Sequence, residues 1–224
     1  MNRLDLYTSV HKGLRSALFA TAERIARTNF ADPAAAREAT ISLGFLLDLL
    51  DEHAHHEDEH IQPVYQRHNS ELALTLAADH ARVEGLGREL RSLAVRLESA
   101  TEIERVSLGR RIHERMNQFL AEHLQHMARE EGCGQRLLWA HLDDTQLGAL
   151  HGAILASIPP PRLSQWLGLI LPAASLPECV EIVGGLVAAV PGDAADMLLA
   201  PARAAMGEAR WNEVTQALVV GAKA

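Results

Sequence analysis

Apolar residues recur at three- and four-residue steps in four long segments of the chain. The first runs over residues 4–25 with Leu4, Tyr7, His11, Leu14, Leu18 and Ile25 on one stripe. The second carries Leu43, Leu46, Leu50, His53, Glu57, His60 and Val64. The third carries Leu76, His80, Val83, Leu86 or Gly87, Leu90, Leu93 and Leu97, and the fourth Ile112, Met116, Phe119, His123, His126 and Glu130. This spacing predicts amphipathic helices that turn one face to a shared core. Breaks fall at TNFADPAAA, where Asp32 and Pro33 suit a helix start, at RHNS (67–70), at ESAT (98–101) and at the GCG of residues 132–134. Short connections between long helices make neighbours antiparallel. The expectation is an all-α, up-down-up-down four-helix bundle over residues 1–135.

Beyond residue 135 the pattern shortens. LDDTQLGALHGAILASIPPP, PRLSQWLGLILPA, SLPECVEIVGGLVAAVP, DAADMLLAPARAAM and GEARWNEVTQALVV each read as one short helix, started by Asp, Ser or Pro and ended by Gly or Pro. Residues 136–224 are therefore expected to form a small helical module without a catalytic cluster. It can pack on the bundle, form a homodimer interface or dock a protein partner.

Polar residues stand where the four long stripes call for apolar ones. His11 and His53 each lie about twenty residues from the break that separates them, and Glu57 and His80 each about ten from the next. His80 and His126 agree to within about one helical turn across the third break. Four helices thus bring ligand-type side chains to one interior level. Two of them carry His-x-x-x-Glu, His53–Glu57 and His126–Glu130, a spacing that sets imidazole and carboxylate on one helix face. Buried carboxylates are costly unless paired or bound to a cation. Four imidazoles with Glu57 and Glu130 as bridges satisfy two metals and leave open positions on both. Such mixed ligation suits iron, with zinc and manganese as alternatives.

This ordered set resembles the hemerythrin-like, or HHE cation-binding, domain. The matching residues are His11 in VHKGLR, His53 and Glu57 in HAHHEDEHIQP, His80 in DHARVE, and His126 and Glu130 in HMAREE, with Pro63 at the family's usual helix ending. The resemblance covers about residues 1–135. It implies a non-haem di-iron centre, oxo- or hydroxo-bridged, that binds or reacts with dioxygen or another small oxidant. The chain departs from the pattern in two places. Gly132, Cys133 and Gly134 stand where a proline often follows the fourth motif, and the third helix offers Glu84 after His80 in place of a fifth histidine. Lacking that histidine, both irons stay open, and the centre is expected to sense or react with oxidants rather than store oxygen. Glu84, His60 and His123 are the candidates for an additional ligand, and His60 and His123 are expected chiefly as hydrogen-bond partners of the ligands. His55, His56, Asp58 and Glu59 are expected at the solvated surface.

Composition narrows the setting. A formal net charge of −8 disfavours nucleic acid and anionic membrane surfaces as partners. No apolar run has the length of a signal peptide or a membrane span, and the cysteines Cys133 and Cys179 share no motif, so a reduced cytoplasmic protein is expected. All twelve histidines lie at or before His151. Any chemistry they carry belongs to the first two-thirds of the chain. Two other functions remain open: a di-iron enzyme (an oxidase, a peroxidase-type enzyme or a nitric-oxide-linked iron donor) and a helical interaction protein with a structural metal.

Overall fold

In a computed structural model that describes residues 3–221, the chain is helical and no strand occurs among the described residues. The long helices are α1 (Thr8–Arg27), α2 (Pro33–His56), α4 (Ser70–Leu97) and α5 (Glu102–Arg129), and α3 (Gln62–His68) and α6 (Gln135–His141) are short continuations. Four further helices follow: α7 (Asp144–Ser157), α8 (Pro160–Ala173), α9 (Leu176–Ala189) and α10 (Gly192–Gly221). A kink at Gly207, whose φ of 76° suits a residue without Cβ, divides α10 where the sequence predicts two helices. No helix among the described residues is long and apolar enough to cross a membrane.

Local chemistry sets the helix starts. The Asp32 carboxylate accepts the Ala34 N–H ahead of Pro33, and Asn69 accepts the Leu72 N–H at the start of α4. Thr101 and Glu104 form a reciprocal capping box, as do Ser175 and Glu178. Helix α1 begins later than the apolar stripe, because the Asp5 carboxylate accepts the Tyr7 and Thr8 N–H groups and holds residues before it outside the helix.

The chain forms two compact units. One comprises Met1–Leu4 and Ala17–Leu150, the other Asp5–Ser16 and His151–Ala224, so that α1 contributes to each. In the first unit, side-chain pairs fix helix direction. Arg82 meets Glu122 and Arg115 meets Glu89, so residue numbers rise on α4 as they fall on α5. Gln62 donates to the Ala73 carbonyl and Arg91 meets Asp51, which makes α2 with its continuation antiparallel to α4. These exposed ion pairs report direction more than stability. The core beneath them contains Leu43, Leu46, Leu50, Leu76, Val83, Leu90, Ile112, Met116 and Phe119. Gly87, not Leu86, takes the inner position on α4, with Leu47 and Phe119 at van der Waals distance from where its Cβ would stand. In the second unit, Leu167, Leu171, Cys179, Val183, Leu199, Ala202 and Val214 form an apolar cluster, and Lys12 donates to both oxygens of Glu178.

One expected helix stop is not a stop, and the helix that ends at the expected RHNS break passes straight through Pro63. The chain continues as helix past Pro63 to His68, and past the GCG of residues 132–134 to His141. At both places one turn widens to π-helical geometry, over Glu57–Ile61 and Glu130–Gly134. A π turn inserts one residue and moves everything after it to a new face. Ile61 and Tyr65 are therefore buried, whereas α-helical spacing would have placed His60 and Val64 inward. Gly134 is needed in the second wide turn: a Cβ there would stand 2.5 Å from the Tyr65 hydroxyl.

Candidate metal centre

Each π turn begins at the glutamate of an HxxxE pair. On α2, His53 and Glu57 are four apart, with His53 Nε2 3.0 Å from Glu57 Oε1. On α5, His126 Nε2 lies 3.3 Å from Glu130 Oε2. His80 reaches in from α4, its Nε2 3.4 Å from Glu57 and 3.9 Å from Glu130. Two overlapping groups result. Glu57, His80, His126 and Glu130 offer ligand atoms all within 4.8 Å of one another, and so do His53, Glu57 and Glu130. His11 is fully buried on α1, in the segment that clusters with the second unit, and its ring lies 5.2 Å from that of Tyr7.

Burial gives these groups their character. Glu130 is 1% exposed and Glu57 5%. Desolvation, then the charge of Glu57, pushes the Glu130 carboxyl well above the usual carboxylate range. Burial likewise pulls the His126 imidazole down to about 3, with the nearby His80 adding to the effect against the opposing charge of Glu57. At neutral pH His126 is therefore an uncharged donor, the state in which imidazole binds a metal. His80 goes the other way: burial lowers its pKa, but hydrogen bonds and charge from Glu57 and Asp58 outweigh burial and raise it.

The Nε2 atoms of His80 and His126 are 3.0 Å apart. That separation is what two imidazole nitrogens show when they share one ion at right angles, since metal–nitrogen bonds of about 2.1 Å put them about 3 Å apart. Behind them, each outer nitrogen faces a carboxylate. Asp58 Oδ1 is 2.9 Å from His80 Nδ1, and Asp79 Oδ2 is 3.7 Å from His126 Nδ1, with Arg129 paired to Asp79. A carboxylate behind a histidine fixes its tautomer and raises its basicity, the usual support of a metal ligand. The donor set, imidazole nitrogen with buried carboxylate oxygen, fits iron, manganese or zinc.

No family model and no curated protein matches the chain. The reading of the centre therefore stands on its own geometry.

Of the residues around the centre, His56 and His60 depart from expectation, and Glu84, His123 and Asp58 do not. Glu84 is exposed and paired with Arg88, and is in neither group. His60 leaves the inner face because of the π turn and stacks on His56, the rings 6.4 Å apart. His56, expected at the surface, is largely buried and lies 3.7 Å from Glu52. His123 is buried one turn before His126, and its Nδ1–H donates to the Phe119 carbonyl at 3.0 Å. Burial lowers its pKa to about 4 despite that hydrogen bond. Asp58 has an exposed carboxylate, as expected of a surface residue, yet it also holds His80. Asp79 is absent from the residues the sequence predicts for the site, although it stands three residues after Leu76 and four before Val83, on the buried stripe of α4.

Proposed function

We propose that the chain is a hemerythrin-like di-iron protein that binds or reacts with dioxygen or a related small oxidant in the cytoplasm, in oxygen, redox or iron sensing or handling. Residues 1–135 would form the up-down-up-down four-helix bundle, and residues 136–224 an attached helical module. His11, His53, His80 and His126 would be terminal ligands, with Glu57 and Glu130 bridging. The observation that carries this reading is the approach of the His80 and His126 Nε2 atoms to 3.0 Å beside two buried glutamates. Without cations, that arrangement confines two carboxylates in an apolar interior. Cations among them would offset the desolvation and mutual repulsion of the two carboxylates.

Iron bound there would supply electrons to an oxidant and open coordination positions for it. The protein's own groups do the rest. Asp58 holds the outer nitrogen of His80 by a hydrogen bond, and the Asp79 carboxylate faces that of His126 at 3.7 Å, so that the inner nitrogens face the site. The buried wall of Leu50, Val83, Phe119 and Met127 limits water around it. Because Glu84 points to solvent, no further ligand comes from α4 one turn beyond His80. Ions held by these residues alone would keep open positions, which would favour reaction over storage.

The test is to load the chain with ferrous iron under anaerobic conditions and admit air while recording the ultraviolet–visible spectrum. Irreversible growth of bridged-ferric absorption supports the reading. Return of the ferrous spectrum when oxygen is removed would mark a reversible carrier. Zinc binding alone, with no change in air after iron loading, would remove the oxygen chemistry and leave a structural metal.

A further inference from the structure

A cleft of about 420 Å³ opens beside the candidate centre, and its lining includes His53, Glu57, His80 and His123 together with the apolar Val83 and Phe119. Water occupies about 30 Å³, and a diatomic oxidant needs little more, whereas pockets for small organic ligands span about 300–1,000 Å³. The cleft is an order of magnitude larger than an oxidant requires. We propose that it is a subsite for an uncharged organic molecule with a hydroxyl group on an apolar ring, a phenol in chemical class, bound next to the metal.

Three observations select this class. The first is His123, which is 5% exposed and lines the cleft. The Phe119 carbonyl can only accept, so the proton sits on His123 Nδ1, and in the neutral ring Nε2 is left with a lone pair. A hydroxyl donor satisfies it. The second is the apolar wall: Phe119 and Val83 suit a ring rather than a chain of polar groups. The third is charge. At the rim, Arg88 pairs with Glu84, Arg91 with Asp48 and Asp51, and Asp58 with His80. Four rim carboxylates stand against two arginines, so an anionic ligand would meet net negative charge there and would still lose its water.

The ligand's place beside the ions rests on the metal reading, but the contacts that select it, His123, Val83 and Phe119, lie outside the proposed ligand set, which separates the two in a test. Phenol, benzene and benzoate would each be titrated into metal-free and iron-loaded full-length protein, with the ¹⁵N shift of His123 Nε2 followed by NMR. The proposal expects phenol to bind both forms and to move that resonance, with benzoate excluded. Replacing His123 with Leu should weaken phenol about three- to tenfold, the worth of one hydrogen bond, and leave benzene unchanged. Ala54→Leu, which adds apolar bulk to the cleft lining, should weaken phenol and benzene together. Phenol that binds only iron-loaded protein, through a phenolate-to-iron absorption insensitive to His123→Leu, would overturn the subsite while leaving the metal centre intact. Absence of binding to either form at millimolar phenol would overturn it as well. Phenol binding with His123 dependence in a chain that takes up no iron would keep the subsite and remove the metal reading.

Discussion

Glu57 and Glu130 occupy equivalent backbone positions: each opens a π-helical turn, and each carbonyl accepts the N–H five residues on, from Gln62 and Gln135 respectively. Their surroundings differ. The Glu57 turn borders the cleft, and the residue after it, Asp58, is exposed while it holds His80. The Glu130 carboxylate is the more deeply buried and lies off the cleft lining, with Tyr65 against Gly134 and the buried Asp79 paired to the adjacent Arg129. One backbone device thus serves two environments. The α5 turn carries the greater desolvation, and the α2 turn carries the access. In the proposed centre a cation would relieve the first and be reached through the second.

Replacing Glu130 separates these roles most strongly. Glu130→Gln should weaken iron binding by more than about a hundredfold, because it removes a ligand and not only a ligand's support. In the metal-free protein the same change should be neutral or stabilising by about 1–2 kcal/mol, as it takes a desolvated carboxylate out of the interior. Anaerobic calorimetric titration and urea unfolding measure the two effects. A large stability loss in the metal-free variant would contradict the account of the buried side.

The supporting carboxylates give the next largest effects. Asp79→Asn, on the buried side, should cost about 10–100-fold in iron affinity, and Asp58→Asn, exposed to water, should fall at the low end of that range. Equal effects would erase the contrast between the two turns. The wide turn itself can be probed through its glycines. Gly134→Ala forces a Cβ onto the Tyr65 hydroxyl and should destabilise by about 1–3 kcal/mol. Gly132→Ala, with nothing within 4 Å of its Cβ, should stabilise by up to about 1 kcal/mol. Identical urea midpoints for the two would show that the packing of Tyr65 on Gly134 has no role.

The smallest effect at neutral pH concerns His123. Its folded pKa, about 4, lies below the ordinary 6.5, so the unfolded chain binds the proton first. Its contribution to stability is therefore present above pH 6.5 and is lost as pH falls toward 4. In metal-free protein, His123→Leu should flatten the slope of stability against pH in that window. An unchanged slope, measured by urea unfolding at successive pH values, would show that His123 is not held neutral by burial.

The long helices were legible because their stripes are pure. Ile112, Met116, Phe119, His123, His126 and Glu130 follow α-helical spacing and all are buried. The capped starts at Asp32 and Thr101 follow from side chains that compete for free N–H groups, and these too can be read directly. The π turns could not be. A spacing of 3.6 residues extends past Glu57 to His60 and Val64, and nothing in DEHIQ announces the added residue that sends Ile61 and Tyr65 inward instead. Gly134 was visible, but as a presumed helix stop, because its partner Tyr65 is distant in sequence. Asp79 was hidden by its neighbour His80, which occupies the more conspicuous position on the same stripe. His56 and Asp58 were hidden in a run of charge, where composition suggests solvent on every side.

The central claim is that the two glutamate turns and the histidines around them form one two-metal centre. Anomalous diffraction at the iron edge, from crystals grown after anaerobic ferrous loading, tests it most directly. The account predicts two peaks about 3.5–4 Å apart, between Glu57 and Glu130 and within bonding distance of His53, His80 and His126. A single peak, peaks away from these residues, or no iron at all would contradict it.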